Sequence, residues 1–145
     1  MKKEEEIERL ETHLGYIQSI ISRMAQNSFQ AKAWGITVVS GLLAFCLSSE
    51  IDKMRDLSII IACVVTLLFC LVDSYYLYLE RGYRELYNIV AGIKESSSKI
   101  KQYDLSIPSE YRCIRNRLKA VLSWSTGGLY IIFIALLIVL KIYLL

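Results

Sequence analysis

Apolar residues along this chain fall into three long blocks separated by polar stretches, and two of the polar stretches carry their own apolar periodicity. The blocks run from Ala33 to Leu47, from Leu57 to Leu79 and from Ala120 to Leu140, and Asp73 is the only formal charge inside the second. A bilayer-spanning helix needs about 20 apolar residues, which the second and third blocks supply directly. The first is short; it reaches the required length if Phe29 and Ala31 are included and Lys32 snorkels to the headgroups, with Trp34 as an interfacial aromatic.

Ahead of the first block, Ile7, Leu10, Leu14, Ile17, Ile21, Met24 and Ser28 recur at alternating intervals of three and four, the heptad pattern of a helix that packs along one seam. The spacing predicts a helical arm over 5–32 that runs on into a span at 33–47, its seam continuing through Gly35, Val38, Leu42 and Phe45. Past the second block, Leu79, Tyr83, Leu86, Val90, Ile93, Ser97 and Ile100 repeat the pattern and predict a second arm over 80–100 continuous with the span at 57–79. The seams are equal in length, so the arms are expected to pack antiparallel as a stalk outside the bilayer. Glu80 with Arg84 and Arg81 with Glu85 stand at i,i+4 spacing. The run from Ser106 to Glu110, with Pro108 in a first-turn position, predicts a basic juxtamembrane helix at 107–119 that leads into a third span at 120–140. The expected fold class is all-α: an integral membrane protein with three transmembrane helices and a cytoplasmic, coiled-coil-like stalk.

Composition fits that division. The 145 residues are 54% hydrophobic and 21% charged, more apolar than a soluble chain of this size needs. The polar, acidic N-terminal stretch predicts no cleavable signal peptide, leaving the first apolar block as the expected anchor. Five Lys and Arg precede Trp34 and nine lie between Glu80 and Lys119, against two in 48–56 and one, Lys141, near the end. The positive-inside rule therefore predicts that the N-terminus and the long middle segment are cytoplasmic and that the short loop and the C-terminus face outward.

The net charge of +3 is explained by this topology and gives no argument for nucleic acid. Of four cysteines, Cys46, Cys63 and Cys70 lie in the apolar blocks, and no zinc-type spacing links them to Cys113. His13 is the lone histidine and is expected to be solvated on an arm's flank. With no nucleophile, base or phosphate-loop motif, neither an enzyme nor a cofactor or metal site is expected.

The polar side chains within the spans are the candidates for function. Asp73, with Thr66 and Ser40, reads as a pore or gate element, because a carboxylate in a span is costly unless paired, hydrated or protonated; the alternative places Asp73 at headgroup level, paired with Lys32 or Arg81. Arg23, Asn27 and Lys32, the tyrosines around Tyr76, and Arg81, Arg84, Arg112, Arg115 and Lys119 could form a cytoplasmic pocket for a phosphate with a stacked base, or could form an interfacial belt in contact with anionic lipid. Thr37-x-x-x-Gly41 and Ser123-x-x-x-Gly127, with Gly128, permit close helix approach, either between copies of the chain or within one.

The stretch Arg23-Met24-x-x-Asn27-Ser28-Phe29-x-x-Lys32-x-Trp34, followed by Asp73-x-Tyr75-Tyr76-Leu77-x-Leu79-Glu80-Arg81-x-Tyr83-Arg84-x-Leu86-Tyr87, resembles the SLATT-type effectors, small bacterial membrane proteins of nucleotide-signalling anti-phage systems. The resemblance covers about residues 5–95, and the third span departs from the simplest two-span form. It implies a homo-oligomeric, pore-forming or membrane-perturbing effector, gated by a nucleotide second messenger or a cytosolic sensor protein. Two other classes remain open: a non-conducting membrane scaffold that recruits a cytosolic partner, and a prophage holin- or exclusion-like protein.

Overall fold

The computed structural model describes residues 2–49, 51–95, 101 and 103–144, and the side chains of all of these except Lys2 and Leu144. Helix α1 spans Lys2–Ser48 and α2 spans Asp52–Val90. A 3-10 turn at Ser109–Tyr111 precedes α3 (Ile114–Val121), a π-helical turn at Trp124–Gly128 and α4 (Leu129–Leu144). The fold is all-α, and three helical stretches are long and apolar enough to cross a membrane.

Helix α1 passes through Phe29 and α2 through Leu79 without a break, so each span and its arm form one rod. At 47 residues α1 is about 70 Å long, well over twice a hydrocarbon thickness. The two rods pack antiparallel. The Cys46 thiol reaches the Arg55 carbonyl at one end, Gly35 lies under Phe69 near the middle, and Ile17 and Ile21 bury Leu86 in the arms, flanked by Tyr83, Tyr87 and Val90.

The buried line on α1 departs from the heptad reading. Gly35, Val39 and Cys46 are buried, whereas Val38 and Phe45 face outward. The burial follows steps of eleven: His13, half-buried Met24, Gly35 and Cys46 on one row, and Ile17, Ser28 and Val39 on the next. Eleven residues make just over three turns of an α-helix, so such a line drifts by about 20° per eleven residues, more slowly along the rod than a heptad line, which drifts by about 20° per seven in the opposite sense. The heptad reading holds locally around Ile17 and Ile21 and fails once extended into the span.

The second arm is shorter than the sequence pattern predicts. Helix α2 stops at Val90, because Gly92 takes a left-handed conformation (φ 71°) and closes the helix: the Gly92 amide donates to the Ile89 carbonyl and the Ile93 amide to the Asn88 carbonyl. This pair of bonds is the Schellman stop. Ile93 is consequently exposed beyond the helix, and Ser97 and Ile100 lie outside the described residues. The arms are unequal, and Ile7 (49% exposed) and Leu10 (44%) at the far end of α1 have no facing turn of α2.

A strap at 103–111 covers the arms instead. His13 is buried, its Nε2 lying 3.2 Å from the Asp104 carbonyl oxygen and its ring 5.8 Å from that of Tyr103, which corrects its expected place on a solvated flank. The Ser106 hydroxyl and amide both donate to the Asp104 carboxylate and hold it below the usual carboxylate range. Ile107 and Tyr111 seat against Gly82, where an added Cβ would lie 2.9 Å from Ile107. That docking replaces the expected helix at 107–119: Arg112 turns back to donate its Nε–H to the Ile107 carbonyl, and regular helix begins only at Ile114.

The third span is jointed. Ser123 is extended (φ −66°, ψ 141°), and the chain re-enters helix through the π-turn. Gly127 permits this, since a Cβ there would lie 3.0 Å from the Val121 carbonyl oxygen, and Gly128 packs on the Trp124 indole. Both glycines thus serve the chain's own joint.

Two glycines give opposite expected effects. Gly92→Ala forces a Cβ into the left-handed region and should destabilise the fold by about 1 kcal/mol, whereas Gly15→Ala, exposed within α1 with nothing within 4 Å, should stabilise it by about 0.5–1 kcal/mol. Thermal or denaturant unfolding in detergent, followed by circular dichroism, reads both.

Candidate functional site

The chemically richest point of the molecule lies where α1 and α2 cross from span to arm. Counting from Asp52, Asp73 stands about 32 Å along α2, roughly one hydrocarbon thickness. Its side chain is completely buried. Lys32 Nζ is 2.7 Å from Asp73 Oδ1, and its own side chain is 18% exposed, so the ammonium reaches inward while its stem covers apolar surface. Ser28, one turn earlier on α1, donates its hydroxyl to the same Oδ1 at 2.5 Å and accepts from Lys32 Nζ at 2.9 Å. Of the two pairings open to Asp73, the structure forms the one with Lys32; Arg81 instead reaches the Ser123 hydroxyl at 2.7 Å and the Lys119 carbonyl at 3.3 Å. Glu85 pairs with Lys94 rather than Arg81, and Glu80 pairs with Arg84 at 2.8 Å.

The second carboxylate oxygen, Asp73 Oδ2, has no hydrogen-bond partner among the described residues, and neither do the buried hydroxyls of Thr126 and Tyr130 on the third span. This polar junction pairs a cation from α1 with an anion from α2, while the third span buries two hydroxyls of its own.

Along α2 the polar side chains of the span are covered. Ser58, Thr66, Asp73 and Ser74 are buried, while Ile60, Val64, Leu67, Leu68 and Leu71 point outward. Each of these hydroxyls is closed onto its own helix: Ser58 donates to the Met54 carbonyl at 2.7 Å, Thr66 to Ala62 at 2.7 Å and Ser74 to Leu71 at 2.9 Å. Ser40 does not join them; it lies exposed on α1's outer side with Thr37 and Gly41. The expected trio of Asp73, Thr66 and Ser40 is thus divided between a covered stripe and an open face.

The expected pocket of cations, amides and tyrosines is divided as well. Arg23 is exposed and Asn27 half-buried on α1, away from the clefts, and Tyr76 turns its ring to Tyr75. Arg84, Arg115 and Lys119 are exposed outside the clefts. What forms instead is a groove between α2 and the 105–121 segment. Its outer part, about 270 Å³, is lined by Tyr78, Tyr83, Leu105, Ile107, Arg112 and Arg117. Its inner part, about 190 Å³, is lined by Leu71, Ser74, Tyr75, Tyr78, Arg117 and Val121. Arg117, absent from the expected set, sits 5.4 Å over the Tyr78 ring, which stacks on Tyr111 at 5.4 Å. Its place at i+5 from Arg112, rather than at helical spacing, hid it: the two meet only because the chain is non-helical at Arg112 and Cys113.

Among the described residues no group of His, Cys, Asp and Glu could hold a metal ion. Fold and junction define an all-helical, multi-span membrane protein whose long apolar helices bury a charged pair. Comparisons with protein-family models, with curated proteins and with solved structures find no match to this chain.

Removing the cation alone strands a buried carboxylate. Lys32→Met should destabilise the protein by about 3–5 kcal/mol, and Lys32→Met with Asp73→Leu should recover most of the loss. Unfolding in detergent of the two single variants and the double variant measures this coupling.

Proposed function

We propose that this protein is a homo-oligomeric effector of the bacterial inner membrane, closed in the arrangement described, whose cytoplasmic arms control whether the polar stripe of α2 stays covered. The observation that supports this reading is the segregation along α2, with hydroxyls and a carboxylate buried and aliphatic side chains exposed on the opposite side. From Ser58 to Asp73 the stripe is roughly 22 Å long, most of a hydrocarbon thickness. Moving α1 away would line a path with Ser58, Thr66, Asp73 and Lys32. A trigger on the arms has a mechanical route to this stripe, because α1 and α2 each run unbroken from one region to the other. The trigger is a nucleotide second messenger or a cytosolic sensor protein and the role is anti-phage defence, as the resemblance to SLATT-type effectors implies. The ligand must favour one packing of the arms over the other, since equal affinity for both would shift nothing.

Self-association uses the outer face of α1. Between 17% and 33% of the apolar windows is buried within one chain, so most of each span meets lipid or another copy. Thr37 and Gly41 lie on that open face, and a Cβ on Gly41 would meet nothing within 4 Å. Gly41→Leu is expected to lower the oligomer's mass in detergent by light scattering while leaving the unfolding temperature of the single chain unchanged.

Conduction is tested by opening the arms. Leu86→Asp places a carboxylate between Ile17 and Ile21, and liposomes holding this variant should release trapped dye or ions faster than those holding the native chain. Adding Thr66→Val or Asp73→Asn should slow the leak several-fold, and adding Ser40→Ala should not. The closed hydroxyl bonds of Ser58, Thr66 and Ser74 favour a second reading, a non-conducting scaffold that recruits a cytosolic partner. Tight vesicles for a Leu86→Asp protein that keeps its helicity would decide for the scaffold.

A further inference from the structure

The groove between α2 and the 105–121 segment is independent of any conducting role. It has two unlike ends that share three residues, Tyr75, Tyr78 and Arg117. At the outer end stand the guanidinium groups of Arg112 and Arg117. Arg112 uses its Nε–H on the Ile107 carbonyl, which fixes the plane of the group and leaves its terminal nitrogens directed elsewhere. Arg117 is held by the face of Tyr78, and that ring is stacked with Tyr111. Neither arginine belongs to an ion pair of the described residues. From Tyr111 onward the sequence contains no Asp or Glu, so Glu110 is the one acid of the 105–121 segment beside Arg112, Arg115, Arg117 and Lys119. Across the groove, Glu80 is taken by Arg84 and Glu85 by Lys94. Two oriented guanidinium groups that line one groove outside those ion pairs are a receptor for a phosphate.

The inner end has a different character. Leu71 and Val121 form its walls, and Leu71 belongs to the lipid-facing aliphatic side of α2, two residues before Asp73. Exposed Trp34, Tyr75 and Trp124, on the three spans, mark the headgroup level close by. The groove therefore runs from the arginines, across the aromatic level, to an aliphatic wall at hydrocarbon depth. A soluble phosphate compound would fill only the outer end.

We propose that this groove binds an anionic phospholipid, with the phosphate on Arg112 and Arg117 and the start of an acyl chain laid past Tyr75 against Leu71 and Val121. Such a lipid would tie the third span to α2 on the side where the positive-inside rule places the cytoplasmic leaflet, which is also the leaflet rich in anionic headgroups.

The test uses the full chain, delipidated in neutral detergent, and reads unfolding temperature and lipid retention by native mass spectrometry. The probes are phosphatidylglycerol, phosphatidylcholine with the same acyl chains, inorganic phosphate and adenosine monophosphate. Phosphatidylglycerol should raise the unfolding temperature and remain bound, and the other three should do neither. Arg112→Gln and Arg117→Gln should each weaken its retention roughly tenfold or more, the effect of losing a charge-assisted hydrogen bond. Arg115→Gln, which removes the same charge from the same segment but outside the groove, should change it little. Val121→Trp fills the inner end without altering charge and should also weaken retention, which keeps the test open if an arginine variant fails to fold. Equal retention of phosphatidylcholine, equal losses from Arg115→Gln and Arg117→Gln, or tight binding of adenosine monophosphate alone would each overturn the proposal.

Discussion

Hydrocarbon offers no hydrogen-bond partner, and this constraint decides how α1 and α2 meet. Every polar side chain that α2 carries through the apolar region must be turned toward another helix or closed on its own backbone, and α2 does both. Ser58, Thr66 and Ser74 bond the preceding turn while facing inward, and Asp73 takes its cation from α1. The position of Lys32 follows. An ammonium four residues after Ser28 and two before Trp34 reaches the carboxylate inward without leaving the headgroup level, so that one side chain compensates a buried charge and marks the edge of the span. Rotation of α1 about its axis is limited by that pair, and the eleven-residue burial line from His13 to Cys46 is the face the pair selects.

That three stretches are long and apolar enough to cross a bilayer was legible in the chain, because span length is set by bilayer thickness, which hydropathy reads directly. The continuity of arm and span was legible because neither Phe29 nor Leu79 is near a proline or a turn-forming run. What was not legible turned on residues whose role depends on a partner. Val38 and Val39 are alike in composition, and only the pitch of two straight rods over 30 residues or so decides which of them is covered. Gly92 reads as one small residue in a helical pattern, yet its φ of 71° ends α2 and leaves Ile93 with no seam to join. His13 was placed in solvent because nothing in the sequence shows that Asp104, 91 residues later, folds back over it. For the site, the Asp73 and Lys32 pairing was one of two stated choices, whereas the groove at Arg112 and Arg117 depends on a non-helical step at Cys113 that helical periodicity could not reveal.

The small residues show how one motif can serve different ends in the same chain. Gly35 brings α1 within reach of Phe69, and Gly82 admits the strap through Ile107. Gly127 and Gly128 allow the third span to bend around Val121 and Trp124. Only Gly41 faces open space on a spanning segment. The sequence spacing Thr37-x-x-x-Gly41 is the same as Ser123-x-x-x-Gly127, and the difference lies in whether the chain's own backbone already occupies the notch.

The joint at Ser123 also explains why the third span can attend to two places at once. A straight helix from Ile114 would carry its basic turn and its apolar turns on one axis, and docking the first against α2 would fix where the second must lie. The extended step at Ser123 and the π-turn after it separate these demands. Arg81 holds the joint itself, through the Ser123 hydroxyl and the Lys119 carbonyl, so α3 can lay Arg117 on Tyr78 while Thr126 and Tyr130 still turn inward and are buried. Arg81 therefore links the groove to the junction without touching the bound pair, and any shift of α2 along its axis must move both ends of the third span's hinge together.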